Sequence, residues 1–274
     1  MNGFDLHTHT CASFDCRTGW EQFTSAVIAR GLTGVAITDH DTIEGALRLR
    51  DKNPPFDVIV GCEFTLDTGA HLIGLYLERP IRPGSLAEIA AAIHDQNGIV
   101  VLPHPFRPVT GALALLPEED HWPMILNQID AIEAFNAKST WYENRRSLSL
   151  AKLRGLPVTA GSDAHRAAEI GSGIVQFSEH DAVHEQGIVL GRDQADPDYE
   201  KQRMSRERLR HGALQFKRAI PEPVWKAGKR AWSTWLDHTD GRKDAPLRDY
   251  GRYPCPPRLC ASHDSTRLTS GDFQ

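Results

Sequence analysis

No apolar run in this chain of 274 residues is long enough to cross a bilayer, so the sequence argues against a helical membrane protein. Cysteine is scarce and odd in number. Cys11, Cys16, Cys62, Cys255 and Cys260 suit reduced thiols better than a disulfide framework. The spacing of Cys255, Cys260 and His263 suggests zinc, but the prolines around them and the loose Pro/Ser/Thr/Arg composition of 254–274 speak against it. A leader segment has no room, because the first strand-like segment starts within a few residues of Met1, and a cytoplasmic protein is expected. No excess of positive charge is present either. The net charge of −5 counts against indiscriminate nucleic-acid binding. That charge is uneven: residues 201–253 hold 14 Lys/Arg against 6 Asp/Glu, a local +8, leaving −13 for the rest. No internal repeat is found.

What is present is ample material for a core. With 40% hydrophobic and 24% charged residues, the length fits one large α/β domain or two small ones. Up to about residue 177, short β-rich apolar runs alternate with helical patterns, as in repeated βα units around a parallel sheet. Strands are expected at 4–7, 34–38, 58–62, 71–77, 99–103, 131–135, 157–160 and 174–177, with helices such as 20–30 and 85–96. The second helix opens with Ser85 and Glu88 at capping-box spacing, and Gly98 follows as its expected C′ residue. A barrel fits this pattern better than an open sheet. Domain by domain, 1–200 reads as a hydrolase barrel, 201–253 as a basic helical extension and 254–274 as a flexible tail. Within the extension, 221–236 reads as a proline-introduced helix with Trp225, Trp232 and Trp235 on one stripe.

Polar residues with coordinating chemistry fall at the strand ends. The first strand ends in Asp5-Leu-His7-Thr-His9, followed by Ser13-Phe-Asp15. Alternation puts His7 and His9 on one side of an extended segment, where two imidazoles can reach one cation. Asp39 and His40 end the second strand, with Asp41 or Thr42 read as an ordinary helix cap. Glu63 closes the third, and a carboxylate there can bridge two cations. His71 opens the strand after it. Pro103-His104-Pro105 fixes the backbone that presents one imidazole, and Ala160-Gly-Ser-Asp163-Ala-His165 runs from a strand into Asp-x-His. Each element alone is explained about equally well by core or surface residues. In a β/α barrel, however, carboxyl ends of strands converge on one face, which makes the five elements one site.

In this combination the residues resemble the PHP (polymerase and histidinol phosphatase) family of metal-dependent phosphoesterases. The match runs over about 3–177. The resemblance implies a distorted (βα)7 TIM-like barrel, here with a C-terminal helical extension. It also implies two or three divalent metal ions, of which manganese, iron and zinc suit His/carboxylate ligands. Carried over by position, one metal would be held by His7, His9, Glu63 and Asp163, a second by Glu63, His71 and His104, and a third by Asp15, His40 and His165. Asp5 competes with Asp15 for its place. The remaining histidines, among them His94, His121 and His180, are expected to be structural or exposed.

The expected reaction is in-line attack on a phosphate ester by a metal-bridging hydroxide, with Glu63 as the bridge. His40 and Asp163 are candidate proton donors if ligation leaves them free. Arg107, and after it Arg17, are the candidates to bind the substrate phosphate, ahead of Arg166. The expected substrate is a nucleotide or small phosphorylated metabolite, and the expected partner list contains no membrane. Nucleic acid is the less favoured partner. Three alternatives stand beside this: an exonuclease on short RNA or DNA ends, an amidohydrolase-like C–N hydrolase, and a non-catalytic PHP module. The amidohydrolase reading lacks its lysine, Glu63 standing in the corresponding place, and the non-catalytic reading predicts lost ligands.

Overall fold

A computed structural model describes residues 2–115, 121–177, 186–191 and 248–254. Its strands are β1 (Asn2–Thr8), β2 (Gly34–Ile37), β3 (Asp57–Thr65), β4 (His71–Leu75), β5 (Ile99–Leu102), β6 (Ala131–Asn136), β7 (Val158–Gly161), β8 (Gly173–Phe177), β9 (Gln186–Gly191) and β10 (Arg248–Pro254). Helices α1 (Trp20–Ala29), α2 (Glu44–Arg50), α3 (Leu86–His94), α4 (Trp122–Leu126) and α5 (Trp141–Arg154) lie between them. The strands form one sheet in the order β10-β9-β8-β1-β2-β3-β4-β5-β6-β7.

The outer edge of β1 is shared between two partners, and this closes the sheet on itself. Residues Asn2, Gly3 and Phe4 pair antiparallel with β8. Further along, Asp163 N–H donates to His7 O at 2.7 Å and His9 N–H donates to Ala164 O at 3.0 Å, so the segment after β7 returns to β1. The first eight strands thus form a nearly closed barrel with flanking helices, in agreement with the expected TIM-like architecture. Gly161 permits the closure: a Cβ there would lie 2.2 Å from that of His7.

All eight expected strands are found, but the sheet is not wholly parallel. β4 runs antiparallel to both β3 and β5, with His71 opposite Thr65. A hairpin replaces the expected crossover, so that β4 begins beside the carboxyl end of β3 and runs back along it. The amino-terminal residue of β4 therefore shares a face with the carboxyl ends of the parallel strands.

Helix signals were followed in part. Ser85 and Glu88 form the expected capping box on α3, yet Gly98 is not C′; the helix ends at Asp95, and Asn97 takes the left-handed conformation (φ 54°). Gly98 instead allows close approach, since a Cβ there would meet Leu75 O at 2.8 Å. Asp41 is not a helix cap: its carboxylate accepts from Thr65 N–H and the Thr65 hydroxyl, while Thr42 Oγ1 accepts from Glu44 N–H. Phe23, Val27, Ile89 and Ile93 cover strand residues such as Ile37, Leu72, Leu75, Leu102 and Phe135 in one core. Each such side chain contributes about 1.5–3 kcal/mol by burial.

Of the expected basic extension, residues 201–247, including 221–236, lie outside the described residues, as does 255–274. Residues Arg248–Pro254 form a strand paired with β9. No helix among the described residues is long and apolar enough to cross a membrane.

Candidate metal centre

Nine side chains predicted to carry chemistry meet at the carboxyl ends of the parallel strands. His7 comes from β1 and His9 from just beyond it; His40 follows β2, Glu63 lies in β3 and His71 opens β4. His104 follows β5, and Asp163 and His165 follow β7. Asp15 arrives on the loop after β1. That loop is tied down by Cys16 Sγ, which donates to the carbonyls of His9 (3.3 Å) and His165 (3.2 Å). Ser13 links it to β2 by accepting from His40 N–H and donating to Asp15.

Glu63 is the centre of the cluster. Its Oε1 lies 2.7 Å from His71 Nδ1 and 3.0 Å from His104 Nε2. Its Oε2 lies 3.2 Å from His7 Nε2, 3.3 Å from His9 Nε2 and 3.5 Å from His40 Nδ1. Asp163 Oδ1 stands 3.5 Å from both His9 Nε2 and His165 Nδ1. Asp15 Oδ2 joins His165 Nε2 (2.9 Å) and His40 Nε2 (3.5 Å). Asp5, the competitor for the place of Asp15, is instead buried at the base, accepting from Ser162 N–H and Gly171 N–H.

Burial pushes the Glu63 carboxyl up, but the rings of His71, His7 and His40 outweigh it and hold the group well below the usual range. For His40 burial pushes the other way, and Glu63 and Asp15 raise it to about 9. His104 is lowered to about 4, first by burial and then by Arg107. Two of the site residues, His104 (φ 29°) and Asp163 (φ 54°), occupy left-handed backbone, a conformation that costs energy and persists where surrounding bonds hold it.

Some residues that matter here carried no expectation. Glu133, in the middle of β6, accepts from the His7 ring (Nδ1, 2.9 Å) and from His104 N–H (2.8 Å). Asn136 donates from Nδ2 to Glu133 (3.0 Å) and Asp163 (3.3 Å). Their signal was a glutamate inside the apolar run Ala-Ile-Glu-Ala-Phe-Asn, where a charge buried without a purpose is costly. Arg107 lies in the wall of the site: Nη1 donates to Asp163 (2.8 Å) and Nη2 to Asn136 (2.5 Å), so it positions Asp163. Arg17 is exposed on the Asp15 loop. His94 pairs with Asp130 at the surface, away from the cluster.

These side chains suit divalent cations. Four sets of three have donor atoms within 4.8 Å of one another: His9-His40-His165, His7-His9-Glu63, His7-His104-Asp163 and His40-Glu63-His71. His9 Nε2 and His40 Nδ1 are buried with no hydrogen-bond partner of good geometry among the described residues, as expected of lone pairs meant for a metal.

Residues 5–140 match the PHP domain family and 141–189 match the PHP-associated family. An uncharacterized protein of Methanocaldococcus jannaschii is 34% identical over 112 residues, 39% of this chain. The match spans 60% of that relative's length. Among solved structures, a two-domain protein from Bacteroides vulgatus containing a predicted PHP-like metal-dependent phosphoesterase superposes with TM-score 0.53 at 12% identity, covering 70% of this chain and 75% of that one. The lesion-specific endonuclease PfuEndoQ from Pyrococcus furiosus gives TM-score 0.52 at 16% identity, covering 66% of this chain and 53% of that one. At these identities the likeness is one of fold.

Proposed function

The chain belongs to the PHP family, and from that membership we propose that it is a metal-dependent phosphoesterase acting on a nucleotide or a small phosphorylated metabolite. The observation that carries the reading is Glu63, whose two oxygens face different imidazole groups, His71 and His104 on one side and His7, His9 and His40 on the other. A carboxylate so placed could serve two cations: His7, His9 and Asp163 would complete the set that holds one, His71 and His104 the second, and Asp15, His40 and His165 would hold a third. When bound, such cations supply the charge that neutralises phosphate oxygens and the Lewis acidity that activates water as nucleophile.

The protein's own residues do the rest. Glu133 accepts a hydrogen bond from Nδ1–H of His7 and so directs the Nε2 lone pair inward. Arg107 and Asn136 hold one oxygen of Asp163, which leaves the other facing His9. His40 and Asp163 are candidate proton donors to the leaving group only where ligation leaves them free, and Arg17 is a candidate to meet the phosphate from the Asp15 loop.

Exonuclease action on short RNA or DNA ends is the second reading, and a separate feature favours it. Trp141 and Tyr142 stand exposed at the start of α5, a few residues after Asn136 at the end of β6. The guanidinium of Arg145 lies 5.0 Å from the Trp141 ring, and that of Arg146 5.9 Å from Tyr142. Exposed rings beside cations suit stacked bases and their phosphates.

One panel tests both: sugar phosphates, nucleoside bisphosphates and 5′-labelled oligonucleotides, assayed with manganese, zinc or iron, with bound metals counted on the same sample. Metal-dependent turnover that Glu63→Gln abolishes is the expected result. Bound metal with cleavage of none of these would sink the substrate assignment, and no bound metal would sink the reading.

A further inference from the structure

Lys138 follows β6, and its backbone N–H is fixed by Asn136 Oδ1 at 2.8 Å. Its ammonium lies 2.9 Å from His165 Nδ1 and 3.4 Å from Glu169 Oε2, at the more open edge of the cluster. The same His165 Nδ1 lies 2.9 Å from the backbone carbonyl of Asp163. These two contacts need opposite ring tautomers. A carbonyl oxygen only accepts, so Nδ1 must carry a proton to satisfy it; an ammonium only donates, so Nδ1 must offer a lone pair.

Ligation decides between them. If His165 gives its Nε2 lone pair to a cation, as the proposed function requires, the ring proton sits on Nδ1 and is donated to Asp163 O. Lys138 then loses its acceptor on the ring, while Glu169 keeps the side chain at the edge of the site. We propose that Lys138 is a substrate-binding residue whose ammonium passes from His165 to a phosphate oxygen of the substrate in the cation-loaded site. Of the cations in the wall of the site, Arg107 is committed to Asp163 and Asn136, and Arg166 to Glu169 through Nε at 2.8 Å, while Arg17 stands exposed on the Asp15 loop. Lys138 differs from Arg107 and Arg166 in having a neighbour that ligation takes away.

The inference rests on the metal-dependent reading, and its test is separable from it. Inorganic phosphate is titrated calorimetrically into manganese-loaded full-length protein, wild type and Lys138→Met, with bound metal counted on both. Phosphate binding is expected to weaken about 10–100-fold in the variant, the effect of losing one charge-assisted hydrogen bond, with the metal count unchanged. Lys138→Arg should recover part of the loss. With a turned-over ester in hand, KM should rise far more than kcat falls. Unchanged phosphate affinity, or a loaded wild type that binds no phosphate, overturns the proposal while leaving the metal site standing. A variant that loses metal also overturns it, because Lys138 would then serve His165 and not the substrate. Failure of wild type itself to bind metal counts against the phosphoesterase reading.

Discussion

The inner and outer halves of the cluster are built differently. His7, His9, Glu63, His104 and Asp163 are 1–3% exposed and sit in or at the ends of strands. The side chains of His40, His71, His165 and Asp15 are 7%, 15%, 15% and 31% exposed, and Asp15 rides on a loop. The inner half has its own supporting layer, in which Glu133, Asn136 and Arg107 hold His7, His104 and Asp163. The outer half is steadied by Ser13, Cys16 and Glu169, mostly through backbone contacts and loop residues. Preorganised donors lose less entropy on ligation, so the inner cations should bind more tightly and the outer one should exchange first.

Glu63→Gln should abolish this difference with the largest effect of any single change, because Glu63, itself of the inner half, also meets His40 and His71 of the outer one. Turnover should fall on the order of 10³-fold and bound metal should drop in both halves, read by metal counting and initial rates. Glu133→Gln sharpens the comparison by striking the inner half alone. One amide oxygen cannot accept from both the His7 ring and His104 N–H. Inner metal affinity should weaken roughly 10–100-fold, with stability lowered by about 1–3 kcal/mol in denaturant titrations. An unchanged inner affinity would show that strand packing alone orients His7.

Legibility in the sequence followed the same division. Strand ends could be read because His, Asp and Glu interrupt apolar runs, and those residues do converge. The direction of β4 is legible only in the linker, because the eight residues between 58–62 and 71–77 are too few for a crossover, which takes about a dozen; alternation within the strand does not carry it, and His71 was singled out without the reason for its place. Glu133 passed as part of the strand 131–135 and Asn136 as the residue after it, because periodicity marks which residues are buried and not which neighbours they meet. Arg107 looked like a phosphate ligand by proximity to His104, and only three-dimensional contact with Asp163 shows where its guanidinium goes. The strands β9 and β10 carried no expectation: β9 shows only the short run Ile188-Val189-Leu190 between glycines, and β10 is largely polar.

Asp15→Asn is the outer counterpart of the Glu133 change, and a smaller effect is expected. It removes the charge that joins His40 and His165 while leaving every inner contact in place. One cation should weaken by about 10-fold in a metal titration, with the tighter sites unmoved. Loss of all metals together would show that the halves act as one unit.

The smallest effect concerns how the outer half is held. Burial raises the Glu169 carboxyl, but Lys138 and Arg166 overcome it and lower the group to about 2, against 4.5 ordinarily. A depressed folded value means that Glu169 contributes stability above about pH 4.5 and loses it as the pH falls towards 2. The contribution is on the order of 1–3 kcal/mol, and Glu169→Gln should lack it. On chelator-treated protein, the melting-temperature gap between wild type and Glu169→Gln should therefore be full at pH 7 and shrink below pH 4.5. A gap that stays constant down to pH 3 would mean that the Gln side chain is misplaced and not merely uncharged, and that the outer edge depends on shape more than on ionic contact.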